Sequence, residues 1–357
     1  MTKKGKILAA LCVLAAAAVL AGVGIAERRK NVQVNRTDYV MDTVLTQTLW
    51  GPAAKRASQQ AYDALAAMEQ RLSLFEETSE IAAVNAAAGS RAVAVSAQTF
   101  DLLDTALALS AQSEGSFQVS VAPLSRLWDI MAADPQIPAQ AEVDAALPLV
   151  DDSSVQLDAQ AGTVYLPRAG QALDLGGVAK GYACDVLRQL YLEEGVEHAL
   201  TSIGGNICAV GGNTDGSPFR IGFRDPKGSA GSYIASFLIG DGVVAVSGAY
   251  ERYFEQDGVI YHHIIDPHTG YPAQSDIVSV GVVWPADAGE HPGASADHWS
   301  TALFCWGRDN ALEWMRTAPA GVLLLDEEGT LYVSESLREG FRPAAEDLEV
   351  VFIPQNK

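Results

Sequence analysis

Between residues 199 and 284 the chain is a succession of short runs rich in Val, Ile, Ala and Phe, each bounded by Gly, Asp or Pro. The runs cover 199–211, 219–224, 233–239, 243–247, 259–266 and 278–284. They predict strands, several of them joined by short turns. The segment GVLLLDEEGTLYVS, residues 321–334, predicts a further hairpin over a turn at Glu327–Gly329. Apolar residues at helical spacing predict helices over 57–72 and 98–112, with others inserted at 178–192 and 297–316. Helices come early and strands dominate later, so the expected class is α+β (mixed α/β) in one compact unit. The alternating order of a Rossmann fold is absent, and no repeat or long linker interrupts the chain.

Composition narrows the function. Of 357 residues, 48% are hydrophobic and 19% charged, which is globular usage, and the net charge is -20. Such an acidic chain offers no basic surface to neutralise nucleic-acid phosphates. To hold any anionic ligand it needs a local Lys or Arg, or a bound metal. At the N-terminus Lys3, Lys4 and Lys6 precede an uncharged stretch from Ile7 to Ala26. This is long enough for a membrane anchor, and Gly24 and Ala26 also suit a cleaved secretory signal. Cys12 lies too early for lipid attachment. The expected division is therefore 1–30 as signal or anchor and 31–357 as one globular domain, working outside the cytoplasm. Cys184, Cys208 and Cys305 form no CxxC or Cys/His cluster. They are expected as small buried apolar side chains, with at most one disulfide among them.

Three stretches carry chemistry. DLGGVAKGYACD, residues 174–185, sets a glycine pair ahead of a helix whose buried stripe is Ala179, Tyr182, Ala183, Val186, Leu187 and Leu190. It fits neither GxxxxGK[ST] nor GxGxxG. Either its backbone amides, from Gly176 to Ala179, hold a phosphate at the helix N-terminus, or the glycines only allow close packing after a strand ending at Leu173–Leu175. In SGAYERYFEQDGVIYHHIIDPHTGYP, residues 247–272, His262 and His263 alternate along a strand and face opposite sides. One of them, near Asp266, has the chemistry of a general base at neutral pH. In ASADHWSTALFCWG, residues 294–307, Asp297, Ser300 and Thr301 share a helix face. They are either hard oxygen ligands suited to Mg²⁺ or an ordinary helix cap. No GxSxG elbow occurs.

Together and in this order, DLGGVAKGY at 174, SGAY at 247, HHIIDPHTGYP at 262 and ADHWSTALF at 296 resemble the ApbE family, the FAD:protein FMN transferases. Weaker matches are MDTVL at 41, LSLFEETSEIAAVN at 72, GSFQVSVAPLSRLW at 115 and GGN at 204. The resemblance implies an exported enzyme that uses Mg²⁺ to split FAD, release AMP and attach FMN to a Thr or Ser hydroxyl of an acceptor protein. That acceptor is expected to be an extracytoplasmic electron-transfer subunit. It implies Met41, Phe75, Ser116, Phe117, Gln118, Asp174, Lys180 and Ile265 as FAD contacts. Gly177 (through its carbonyl), Asp297, Ser300 and Thr301 become metal ligands. His263 is the expected base, with His262 as the alternative, and Asp185 matches a further motif position counted as catalytic. Asp42 stands where the family has Gly, Gln118 where it prefers Asp, and Phe75 where Tyr is common. The competing readings are an FAD pyrophosphatase, with water replacing the acceptor, and a non-catalytic flavin-binding surface protein.

Overall fold

The strand Gly242–Gly248 is buried on both sides: Val243 and Ala245 enter one hydrophobic cluster and Val244 another. Gly321–Asp326 is buried along its whole length. Strands with no wet face must lie between two covering layers. Both sit inside a nine-stranded sheet. Its spatial order is Gln33–Val40, Thr43–Trp50, His198–Ile203, Asn206–Val210, Gly242–Gly248, Ile277–Pro285, Gly321–Asp326, Leu331–Ser334 and Val350–Ile353. Neighbours pair antiparallel, except that the last two run parallel. Helices Ala54–Leu72, Ala179–Glu193 and Pro292–Trp306 pack on one face. A three-stranded sheet built from Phe219–Arg224, Tyr233–Ile239 and Arg342–Pro343 covers the other. A small separate core around Leu124, Trp128, Val143 and Ile265 closes one end.

The computed structural model describes residues 32–74, 76–229 and 231–355. The apolar segment expected within 1–30, and Phe75, lie outside them. Among the described residues no helix is long and apolar enough to cross a membrane.

The α+β class is as expected, and the local differences have local causes. The run 199–211 is a hairpin of two strands, because Gly204 and Gly205 both take positive φ and turn the chain. The helix expected over 297–316 is two helices, Pro292–Trp306 and Arg308–Met315, separated at Gly307 with φ 79°. The strand expected to run to 266 stops at His262. Residues 173–175 form no strand; an isolated bridge joins Ala172 to Val121 instead. The 179–193 helix buries Ala179, Tyr182, Ala183 and Leu187 as expected, but also Gly181, Cys184 and Tyr191, since both the sheet and a second helix pack on it. Cys184, Cys208 and Cys305 are all free thiols.

The second helix is Pro292–Trp306, and it meets the first where both begin. A Cβ on Gly181 would land on the Gly293 carbonyl, and a Cβ on Gly293 would land on the Gly181 carbonyl. Only glycine allows backbones this close. Each helix then satisfies the other's unpaired N-terminal amides. Asp185 accepts from Gly293 N and Ala294 N at 2.7 and 2.9 Å. Asp297 Oδ2 accepts from Gly181 N at 2.8 Å.

Two predictions follow from this backbone. Gly293→Ala should cost about 3 kcal/mol or prevent folding, because the new methyl meets backbone that cannot rotate away; urea unfolding of the variant measures it. Met41 and Asp42, at φ 55° and 53°, form the two-residue turn between Gln33–Val40 and Thr43–Trp50. Asp42→Gly should raise stability by about 1 kcal/mol by removing a left-handed non-glycine residue, which a rise in Tm would show.

Candidate functional site

The crossing of the two helix N-termini forms one wall of a cavity of about 480 Å³, a volume suited to a small-molecule ligand. The Met41–Thr43 turn and Gly204 form its rim on the sheet side. These two hairpin turns abut, since a Cβ on Gly204 would meet the Thr43 hydroxyl. Ser116, Phe117 and Gln118 line it together with Asp174, Gly177 and Lys180, Phe117 lying directly against Gly177. The strand end at Ser247, the segment Glu251–Arg252, and His263 to Ile265 complete the enclosure, with Asp297 and Thr301 among its lining. The structure thus gathers most of the residues singled out from the sequence around one space.

The candidate oxygen donors come from two elements, the helix Pro292–Trp306 and the strand Gly242–Gly248. Asp297 is 4% exposed, and burial raises its pKa against the opposing pull of Lys180, Asn206 and the Gly181 amide. It is no cap of its own helix, which starts five residues earlier at Pro292. Ser247 Oγ lies 2.9 Å from Thr301 Oγ1 and 2.8 Å from Ser300 Oγ. A dehydrated carboxylate beside a cavity-lining hydroxyl is a hard donor set whose charge is eased by a divalent cation, so these residues fit one. Among the described residues no group of three His, Cys, Asp or Glu forms a metal cluster.

The two histidines separate as their alternation requires. His262 is buried, with Nε2 3.0 Å from the Ala273 carbonyl while Nδ1 accepts from Ile264 N. Both its nitrogens are engaged. His263 lines the cavity, and its Nδ1 lies 3.3 Å from the Arg252 carbonyl. With Nδ1–H donating there, Nε2 carries the free lone pair. The residue keeps an exposed face, but the crowding of its ring by the cavity wall lowers its pKa to about 4, against the opposing bond to the Arg252 carbonyl and with the charges of Arg252 and Lys180 adding to the effect, so His263 is a neutral base at pH 7.

Several expected roles change. Asp185 is not on the cavity wall; both its oxygens are held by helix amides, and burial lifts its pKa to about 6. It is a positioning residue rather than a catalytic one. Ser300 is fully buried behind the wall, bonded to the Asp297 carbonyl and Ser247, so it is not placed as a ligand. Asp266 does not orient His263: its carboxylate accepts from His268 N within the DPHTG turn. Gln118 lines the cavity, yet its amide side chain bonds the Gly115 carbonyl and Asp152 N, fixing its own loop. The phosphate nest also fails in part. Gly176 N donates to Asp174, while Val178 N and Ala179 N both donate to the Leu175 carbonyl. Lys180 Nζ reaches the Gly176 carbonyl at 2.8 Å, bracing the same turn.

Sequence reasoning passed over Arg252, a second cation on the wall, and Ser247, which meets Thr301. Both lie within or beside SGAYER, so their place in that stretch was the signal available. Trp128, the last residue of the GSFQVSVAPLSRLW stretch, also lines the cavity, as do Asp129 and Met131, which nothing local in the sequence marks.

The ApbE family model matches residues 41–324. An FAD:protein FMN transferase of Treponema pallidum is 34% identical over 319 residues, covering 84% of this chain and 86% of that protein. The solved structure of the ApbE protein of Thermotoga maritima aligns with a TM-score of 0.79 at 28% identity, covering 87% of this chain and 100% of that one. The flavin transferase ApbE of Vibrio cholerae aligns with a TM-score of 0.76 at 27% identity, covering 87% and 99%. With the family match spanning most of its length and the motif residues lining one cavity, this chain belongs to the ApbE family.

Proposed function

We propose that the protein is an FAD:protein FMN transferase that attaches FMN to a Thr or Ser hydroxyl of an acceptor protein and releases AMP. The observation that carries the reading is a base with a free nitrogen, two cations and a buried carboxylate–hydroxyl pair on the wall of one cavity. Phosphoryl transfer needs these parts: charge neutralisation at the phosphates and a group to take the nucleophile's proton. FAD is the substrate. Lys180 and Arg252 draw its pyrophosphate into an otherwise acidic protein. Met41, Phe117 and Ile265 offer apolar surface to its rings. Asp297, Thr301 and the Gly177 carbonyl would hold Mg²⁺, which supplies polarisation of the phosphoryl oxygens and neutralisation of the charge that builds on them.

The acceptor hydroxyl then gives its proton to His263 Nε2 as its oxygen attacks the FMN-side phosphorus. The P–O bond to the AMP phosphate breaks, and AMP leaves with that oxygen. Arg252 fixes the imidazole by taking the Nδ1–H on its carbonyl, so the lone pair stays aimed inward. The residues 1–30 are assigned as a signal or membrane anchor, and the enzyme works outside the cytoplasm on an electron-transfer subunit. Support for that location is the Lys-flanked apolar stretch Ile7 to Ala26.

The protein mixed with FAD, Mg²⁺ and an acceptor domain should add the mass of one FMN phosphodiester to the acceptor, and EDTA should abolish the gain. Asp297→Ala should abolish it as well, and His263→Ala should slow it by about 10³-fold. AMP and free FMN with an unmodified acceptor would instead identify a pyrophosphatase, and FAD binding without cleavage a flavin-binding protein. The pH profile gives a separate check. His263 is a base only while neutral, and its pKa is about 4 rather than the ordinary 6.5. Activity should therefore persist through pH 6 and fall only as the pH approaches the lower value, whereas an acid limb near 6.5 would show that the cavity wall leaves this ring unperturbed.

A further inference from the structure

His298 is fully buried one residue beyond Asp297, and the chemistry above makes no use of it. Its Nε2 lies 3.0 Å from Ser113 Oγ. Ser113 Oγ already donates its proton to the Ser110 carbonyl, so the bond runs from His298 Nε2–H to the Ser113 oxygen. Nδ1 is then a bare lone pair, and it finds no donor among the described residues. A buried acceptor left unpaired is destabilising, whereas an apolar side chain of similar volume would avoid that cost. The other side of the ring meets Phe117, edge to face at 4.6 Å between centroids. Phe117 in turn presses on Gly177 so closely that a Cβ there would lie 2.6 Å from the ring. Ser113 also holds the start of the cavity loop, since its carbonyl accepts from Ser116 Oγ at 2.8 Å and Ser116 N at 3.0 Å.

We propose that His298 is a positioning residue for flavin binding. It ties the helix that carries Asp297 and Thr301 to the 113–118 segment, which presents Ser116, Phe117 and Gln118 to the cavity. The hydrogen bond to Ser113 fixes the segment's base, and the ring edge fixes the angle at which Phe117 stands against Gly177. Asp152 clamps the far end of the same segment through Val119 N and Ser120 N. On the helix side, among the described residues, the polar link is this imidazole. The consequence for the reaction rests on the FAD reading of the cavity; the mechanical link does not.

His298→Phe keeps a ring edge for Phe117 and deletes the bond to Ser113. His298→Gln carries an amide donor that can reach the same oxygen, and Ser113→Ala removes the acceptor without touching the helix. Hydrogen exchange of the ligand-free protein reads the link directly. In His298→Phe and Ser113→Ala, amides of residues 113–119 should exchange about tenfold faster, while the central strand Ile277–Pro285 stays unchanged. His298→Gln should restore the slow exchange. In the transfer assay the same two variants should raise KM for FAD by a similar factor and change kcat at saturating FAD much less. Unchanged exchange over 113–119, or equal acceleration in the central strand, would overturn the proposal by reducing His298 to a packing residue. A fall in kcat with KM unaltered would overturn it too. If no variant or wild-type protein transfers FMN, the functional reading fails and the exchange result alone decides the role of His298.

Discussion

Two helix N-termini cross with their backbones in contact, and each is capped by a carboxylate from the other. Gly181 and Gly293 permit the approach, and Asp185 and Asp297 take the amides that it exposes. A helix start carries partial positive charge and unpaired N–H groups. Burying two of them together without acceptors would be costly, so the aspartates are as necessary as the glycines. This arrangement places Asp297 at the wall of the cavity and fixes the turn that bears Gly177 and Lys180.

Burial of the crossing has an electrostatic consequence. Desolvation raises the pKa of both Asp185 and Asp297, so the interior is poorly disposed to more negative charge. A protein of net charge -20 nevertheless offers this place to an anionic dinucleotide. Lys180 and Arg252 supply part of the compensation, and the Asp297–Thr301 side offers oxygens to a cation that would supply the rest. His263 lines the same cavity, with part of its surface exposed. Its neutral form is favoured far below the usual range, which keeps a lone pair ready beside groups that would otherwise compete for protons.

Much of the site was legible in short motifs, because residues three and four apart on a helix, or alternate along a strand, must share or change faces. Asp297 with Thr301, and His262 against His263, came directly from that geometry. The misassigned residues are those whose side chains serve other parts of the backbone. Asp185 sits in the motif next to Lys180's turn, yet its partners lie 108 and 109 residues away at Gly293 and Ala294. Ser300 shares a face with Thr301 by spacing, but the neighbouring strand turns it toward Ser247 and the Asp297 carbonyl. Gln118 lines the cavity as its motif position implies, while its side-chain oxygen also accepts from Asp152 N. No local pattern announces such long-range bonds.

Periodicity and turn chemistry, by themselves, determined the α+β class, the principal helices and most strands, and the ordered motifs, through their resemblance to a family, supplied the candidate site residues. These depend on interactions within a few residues, which the amino-acid order states outright. Tertiary structure decided that the two glycine-started helices cross, which of the motif residues line the cavity, and that Arg252 and Ser247 join them. It also decided which nitrogen of which histidine is free. Those outcomes depend on close packing between segments far apart in sequence, where a carbonyl or amide from a distant turn claims or releases a side chain.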